Sequence, residues 1–240
     1  MPSKEHELWF APEGGSSAVP GFLTSVSAQF ISTLLTYQID KEIKGSISEI
    51  GTFMGKTFVG LVKASRRDEI VLGLDVFPEY VELGFKKTMS QLPKTEVENV
   101  VAVKKSSRDV STLEWISRLK TPARFIHIDG EHSYDAIAND LRLASSFLSK
   151  RSIVVIDDFL HDWYPDLTEG IIDSFKILRN IVPIAVAPRL GHLQDGGTKL
   201  ICSTEDGALE YRNHILNTFR DKKARTVRFV GREIITFQGF

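Results

Sequence analysis

Short unbroken runs of Val, Ile and Leu alternate along this chain with segments in which apolar residues return every three or four positions. The first long segment carries Phe22, Val26, Phe30, Leu34, Leu35 and Ile39 at that spacing, which predicts a helix over 22–43, before Gly45. Beyond it, apolar runs predict strands at 46–50, 70–74, 100–103, 125–128 and 153–156. Periodic segments between and after them predict helices at 57–64, 80–90, 110–119, 134–148 and 168–179. Apolar strands alternating with helices are the pattern of a parallel sheet covered on both faces. After 180 the rhythm changes. Runs at 182–187 and 199–203 flank Asp195, Gly196 and Gly197, a turn-bearing connection that suits an antiparallel pair. A helix at 206–219 and a hairpin of 225–230 and 233–237 about Gly231 complete the pattern.

The expected fold class is therefore α/β. Its core is a doubly wound, mostly parallel, Rossmann-like sheet with helices on both faces and an antiparallel edge between the sixth and seventh strands. Residues 1–20, polar and punctuated by Gly14, Gly15, Pro20 and then Gly21, read as a flexible lead-in. Residues 21–204 read as the main domain, and 205–240 as a helix and hairpin extension of it.

Composition narrows the function. Thirty basic side chains balance 31 acidic ones, for a formal charge of −1, so the chain lacks the basic footprint of a nucleic-acid binder. Its one cysteine, Cys202, excludes an internal disulfide and a multi-thiolate metal site. No apolar run has the length of a membrane span, and the first residues do not resemble a signal peptide. These features predict a soluble, cytoplasmic protein.

In an open α/β sheet, ligands bind beyond the carboxyl ends of the strands, so the residues just after each strand carry the chemistry. After the first strand stand Glu49, Gly51, Thr52, Phe53, Gly55 and Thr57. Two glycines four apart let a ligand approach the backbone, and the next helix offers free N–H groups. Phe53 holds the second glycine position of a dinucleotide G-x-G-x-x-G, which weighs against a nicotinamide cofactor. After the second strand, Asp75 is placed to accept hydrogen bonds from ribose hydroxyls, or else to cap a helix. After the fourth and fifth strands come Asp129, Glu131 and His132, then Asp157 and Asp158. Carboxylates gathered from neighbouring strands require a cation or shared protons. An oxygen-rich set without cysteine suits Mg²⁺, with Mn²⁺ or Ca²⁺ as alternatives. His132 beside it suits a general base. His127, inside a strand, reads as a core histidine without a role. His161 and Trp163 lie on a loop that either walls a substrate or packs on itself, and His192 lies on the hairpin connection.

At these residues the chain resembles the class I S-adenosylmethionine-dependent methyltransferases. Glu49, Gly51 and Gly55 resemble the family's first motif, and Asp75 its acidic ribose ligand. The closer resemblance is to the small-molecule and sugar O-methyltransferase branch that includes macrolide-sugar methyltransferases and cephalosporin-hydroxylase-like proteins. It is carried by V-P-G-F at 19–22, E-I-G-x-x-x-G-x-T at 49–57, I-D-G-x-H-S-Y at 128–134 and I-D-D-F at 156–159. The resemblance implies a methyltransferase domain over 21–204 with S-adenosylmethionine as cofactor. The cofactor set it implies is Glu49, Gly51, Thr52, Phe53, Gly55, Thr57, Asp75, Ser107 and Asp129, with Lys105, Ser106 and Ser107 matching the third-strand motif only loosely. It further implies Mg²⁺ (or Mn²⁺) on Asp129, Asp157 and Asp158, and His132 as catalytic base. Asp157 departs from it by one methylene, since Glu is frequent there.

The function expected is methyl transfer to a hydroxyl of a small molecule or sugar, with the ion chelating the acceptor oxygen. Nucleic-acid and membrane partners are not expected, and the C-terminal extension leaves homo-oligomerisation open. A non-catalytic scaffold of the same fold is the alternative. A reductase is disfavoured because Ala138 replaces the Lys of a Y-x-x-x-K pair. A nucleic-acid methyltransferase would have to use the basic stretch between Arg220 and Arg232, which suits a solvated tail or a subunit contact better. Charge is also partitioned along the chain: 152–175 holds no Lys or Arg but carries Asp157, Asp158, Asp162, Asp166, Glu169 and Asp173.

Overall fold

The apolar runs pair into a single sheet. The structure, a computed structural model, describes residues 4–191 and 197–240. The strands are β1 (Ser46–Ile50), β2 (Val71–Asp75), β3 (Val100–Lys104), β4 (Ala123–Ile128), β5 (Leu148–Phe159), β6 (Val182–Ala187), β7 (Thr198–Ser203), β8 (Lys223–Phe229) and β9 (Arg232–Gln238). Their order across the sheet is β3-β2-β1-β4-β5-β7-β6-β9-β8. β1 to β5 run parallel, and β7 is antiparallel to both β5 and β6. Chain order reverses between β1 and β4, so a crevice opens at their carboxyl ends. The expected α/β class and antiparallel edge are both present. The turn expected at Asp195 and Gly196, and His192, lie outside the described residues.

The central strands alternate their side chains between two cores. Ile47, Phe125, Ile153, Val155 and Ile201 face a core built with α2 (Ser25–Asp40), α3 (Lys56–Ala64) and α9 (Glu205–Thr218). Ile50, Ile126, Ile128, Val154, Ile156 and Leu200 face a core built with α6 (Thr112–Leu119), α7 (Tyr134–Ser145) and α8 (Pro165–Ile177). Helix starts are capped where the chain supplies a hydroxyl: Thr24, Ser111 and Ser133 accept from Ser27, Glu114 and Ala136 N–H groups.

The lead-in differs from expectation. Residues Glu5–Phe10 form helix α1, followed by a 3₁₀ turn at Gly15–Ala18. His6 and Phe10 are buried, Phe10 joins the core under α3, and Trp9 Nε1 donates to Lys56 O at 2.9 Å. Burial of these few large side chains, rather than helical propensity, fixes the segment. Short helices α4 (Glu79–Met89) and α5 (Lys94–Val97) lie between β2 and β3. The expected helix at 134–148 stops at Ser145, because Leu148 already pairs with Ala123 in β4.

The C-terminal hairpin continues the sheet. β9 pairs in parallel with β6 through Ala185 and Ile235, and β8 forms the outer edge. Phe237 and Phe240 surround Phe30 of α2, whose ring stacks on Phe219 at 4.2 Å, so the extension is bolted to the main domain.

Candidate active site

A cavity of about 920 Å³ occupies the crevice at the strand ends. Among the residues singled out after the strands, it is lined by Glu49, Gly51, Thr52, Phe53, Thr57, Asp75, Ser107, Asp129, His132, Asp157 and Asp158. Gly55 lies just outside that lining, at the N-cap of α3 with φ +91°. Gly51, with φ +85°, is pressed against β4's exit, where any Cβ would overlap the Asp129 carbonyl oxygen. Only glycine permits this closeness of the two strand ends.

On the β2 side, the Asp75 carboxylate is fixed by two backbone N–H groups. Phe53 N donates to Oδ2 at 2.8 Å and Phe77 N to Oδ1 at 2.7 Å. Its remaining lone pairs face the cavity, as a diol ligand requires. Phe53 itself sits at φ +46°, which completes the tight turn. Gly21 and Phe22 form the opposite lip, held by Lys56 Nζ donating to Gly21 O at 2.9 Å.

Glu49 is buried, and its two oxygens differ. His127 Nδ1 lies 2.8 Å from Oε1, whereas buried Oε2 has no hydrogen-bond partner. An orphaned carboxylate oxygen on the cavity wall is a costly feature unless a donor completes it. Burial, reinforced by the nearby Asp129, raises the Glu49 pKa well above the usual carboxylate range. The Thr52 hydroxyl on the same wall is likewise buried and unpartnered. These groups fit a ligand bearing a cationic amine and a ribose, which is the donor set S-adenosylmethionine would present. The chemistry that such a sulfonium ligand supplies is an electrophilic methyl group.

The carboxylate end of the crevice is organised around two basic side chains. His132 Nε2 lies 2.8 Å from Asp158 Oδ2 and 3.6 Å from Asp129 Oδ1. Burial by itself would lower the His132 pKa, but the two carboxylates push it up to about 10. Its ring stacks on Tyr164 at 4.5 Å, and Tyr164 also packs against His161. Asp158 occupies φ +53°, a strained position for a non-glycine residue. Burial and the Asp157 charge raise Asp129 to about 6. Burial opposes charge on Asp158 too, yet His132 holds it below its ordinary value.

Asp157 is not free to join Asp129 and Asp158. Its Oδ1 accepts from the Asp158 N–H at 2.8 Å, and its Oδ2 pairs with Lys199 Nζ. Lys199 is 2% exposed, and its Nζ also lies 3.2 Å from His127 Nε2. Burial disfavours its charge, but Asp157 and Asp129 outweigh that and raise its pKa. Among the described residues, two acidic groupings have ligand atoms within 4.8 Å of one another, His127–Asp129–Asp157 and Asp129–His132–Asp158. The first contains the ammonium's own counter-ion, and the second is already bridged by His132. The donor set therefore fits a divalent ion on all three aspartates poorly.

The strand register explains this arrangement. Glu49 aligns with His127, and His127 with Val155. Asp157 lies two positions beyond Val155. Val155 in turn aligns with Ile201, two positions beyond Lys199. Alternation puts Glu49, His127, Asp157 and Lys199 on one face, as a polar row crossing β1, β4, β5 and β7. Lys199 was not among the expected residues and His127 was assigned no role. Their signal was a titratable side chain within an apolar run, His127 in 125–128 and Lys199 at the head of 199–203. His161, Trp163 and Tyr164 do line the cavity, with Trp163 77% exposed at its mouth.

Comparison with known proteins agrees with this architecture. Residues 48–159 match the family described as a methyltransferase domain. An uncharacterised protein of Acanthamoeba polyphaga mimivirus is 25% identical over 130 residues, 51% of this chain and 56% of that protein. The chain thus spans little more than half of that relative. The O-methyltransferase of Bacillus cereus, solved with S-adenosylhomocysteine, superposes with a TM-score of 0.59 at 16% identity, covering 80% of this chain and 86% of that one. The O-methyltransferase TomG of Streptomyces achromogenes, solved with S-adenosylmethionine, gives 0.54 at 15% identity over 79% and 85%. CalS11, a TDP-rhamnose 3′-O-methyltransferase of calicheamicin biosynthesis, gives 0.56 at 16% identity over 74% and 79%. The strand order, the glycine turn and the likeness to these solved structures give the chain a Rossmann-like fold, and its residues 48–159 match a methyltransferase domain.

Proposed function

We propose that this protein transfers the methyl group of S-adenosylmethionine to a hydroxyl of a small molecule, with a sugar-like acceptor as the first candidate. The observation that carries the proposal is the buried, unpartnered Glu49 Oε2 of a residue that lines the same cavity as the clamped Asp75 carboxylate. Glu49 would take the ligand's ammonium, Asp75 its ribose hydroxyls, and the Gly51 turn would admit its backbone-facing edge. Next to them, His132, once it has given up its own proton, would take the proton that leaves the acceptor hydroxyl, and Asp158 would stabilise the imidazolium. Phe22, Trp163 and Tyr164 would wall the acceptor. The Mg²⁺ or Mn²⁺ expected from the sequence has no step in this scheme, because Asp157 is committed to Lys199. A sugar acceptor draws support from the likeness of fold to the rhamnose methyltransferase and from the I-D-G-x-H-S-Y segment at 128–134.

The test is calorimetry with S-adenosylmethionine, followed by transfer of a labelled methyl group to a panel of sugar and phenolic hydroxyls. Binding should be saturable, and Glu49→Gln and Asp75→Ala should each weaken it by about tenfold or more, the loss of a charge-assisted hydrogen bond. Absence of binding by the intact chain would favour a scaffold role and end the proposal.

A further inference from the structure

We propose that Lys199 is a built-in counter-cation that takes the place of a divalent metal in the carboxylate centre. The inference rests on the function proposed above only for the meaning of the site; the electrostatic claim stands on the geometry. Asp129, Asp157 and Asp158 converge from two adjacent strands at one end of the cavity, and such a cluster needs positive charge to remain ionised when buried. A lysine enters from β7, the strand running opposite to β5, and so arrives at the carboxyl ends from the other direction. Its ammonium is buried, with Asp157 Oδ2 as its anionic partner. The second Asp157 oxygen is used by a backbone N–H. Each oxygen keeps a lone pair, but a cation seated on Asp129 and Asp157 would face the Lys199 charge at close range.

The ammonium also fixes the row beside it. An ammonium only donates, so His127 Nε2, 3.2 Å away, accepts. The His127 proton then sits on Nδ1 and is donated to Glu49 Oε1, which leaves Oε2 as the oxygen without a partner. Lys199 thus acts as a positioning residue for both the carboxylate centre and Glu49, without touching the cavity contents itself.

The probe is Mn²⁺ alone, followed by electron paramagnetic resonance on the full chain. The wild-type protein should bind no stoichiometric ion at about 0.1 mM Mn²⁺, below the range of weak oxygen sites. Lys199→Met frees Asp157 and should bind Mn²⁺ at least about tenfold more tightly, and adding Asp157→Asn to it should abolish the gain. One tightly bound Mn²⁺ per wild-type chain, or a folded Lys199→Met protein that binds no better, would overturn the proposal. Circular dichroism reports whether the variant folds. Should it not, two further measurements on wild type and Asp157→Asn decide. Methyl transfer unaffected by chelator supports the built-in cation, and metal-restored activity that depends on Asp157 refutes it. Calorimetry with S-adenosylmethionine is independent of these titrations, so failure of the cation claim and failure of the proposed function remain distinct.

Discussion

At the scale of single residues, His132 carries the sharpest expectation. Held between Asp129 and Asp158 with a pKa of about 10, it is an imidazolium at neutral pH. A base must first lose that proton, so methyl transfer should rise about tenfold per pH unit above 7 and level off near 10, where an ordinary histidine levels off near 6.5. A pH–rate profile that is flat above 7 would exclude His132 as the base. Replacing it, His132→Gln, should lower turnover by about 100-fold or more while calorimetric affinity for S-adenosylhomocysteine stays nearly unchanged. The carboxylates around it were legible in the sequence, because strand ends in an α/β sheet are where charge converges. The partner of Asp157 was not. Lys199 lies 42 positions further on, and only the β5–β7 register brings the two side chains together.

Among the elements, α1 is the informative case. Six residues, Glu5–Phe10, give too short a window for helical periodicity, and the Gly and Pro that follow suggested a loop. What orders the helix is its burial against α2 and α3. His6 Nε2 donates to Thr36 Oγ1 at 2.9 Å, and that hydroxyl donates on to Glu7 Oε1 at 2.7 Å. Burial lowers the His6 pKa to about 4, so the folded protein holds it neutral where an unfolded chain would take up a proton. Stability is therefore complete above pH 6.5 and falls as the pH drops from there to about 4, by up to roughly 3 kcal/mol from this residue. His6→Phe should shrink the pH dependence of denaturant-derived stability over that interval by about one proton. An unchanged slope would detach α1 from the fold's acid response. The other parallel strands, by contrast, were read to within two residues, since unbroken Val and Ile runs leave a parallel sheet little choice, whereas β5 begins five residues before the expected 153.

For the molecule as a whole, the C-terminal hairpin decides where the sheet ends. Without β8 and β9, β6 would be an apolar edge with open backbone groups; with them, the edge is β8, which carries Lys223, Arg225 and Arg228. Removal of 223–240 should convert the protein to an aggregating species, visible by light scattering during size-exclusion chromatography. The outer strands were legible as a hairpin, but their joining to β6 was not, because a single aligned pair, Ala185 and Ile235, makes that junction. The polar row has a consequence for biosynthesis. Glu49, His127 and Asp157 emerge from the ribosome before Lys199, and until β7 is made the buried aspartate has no ammonium to face. Final closure of the crevice is then tied to the chain's last third. A nascent polypeptide that still lacks β7 therefore holds Asp157 without its ammonium, and the carboxylate wall of the cavity is completed only when that strand is added.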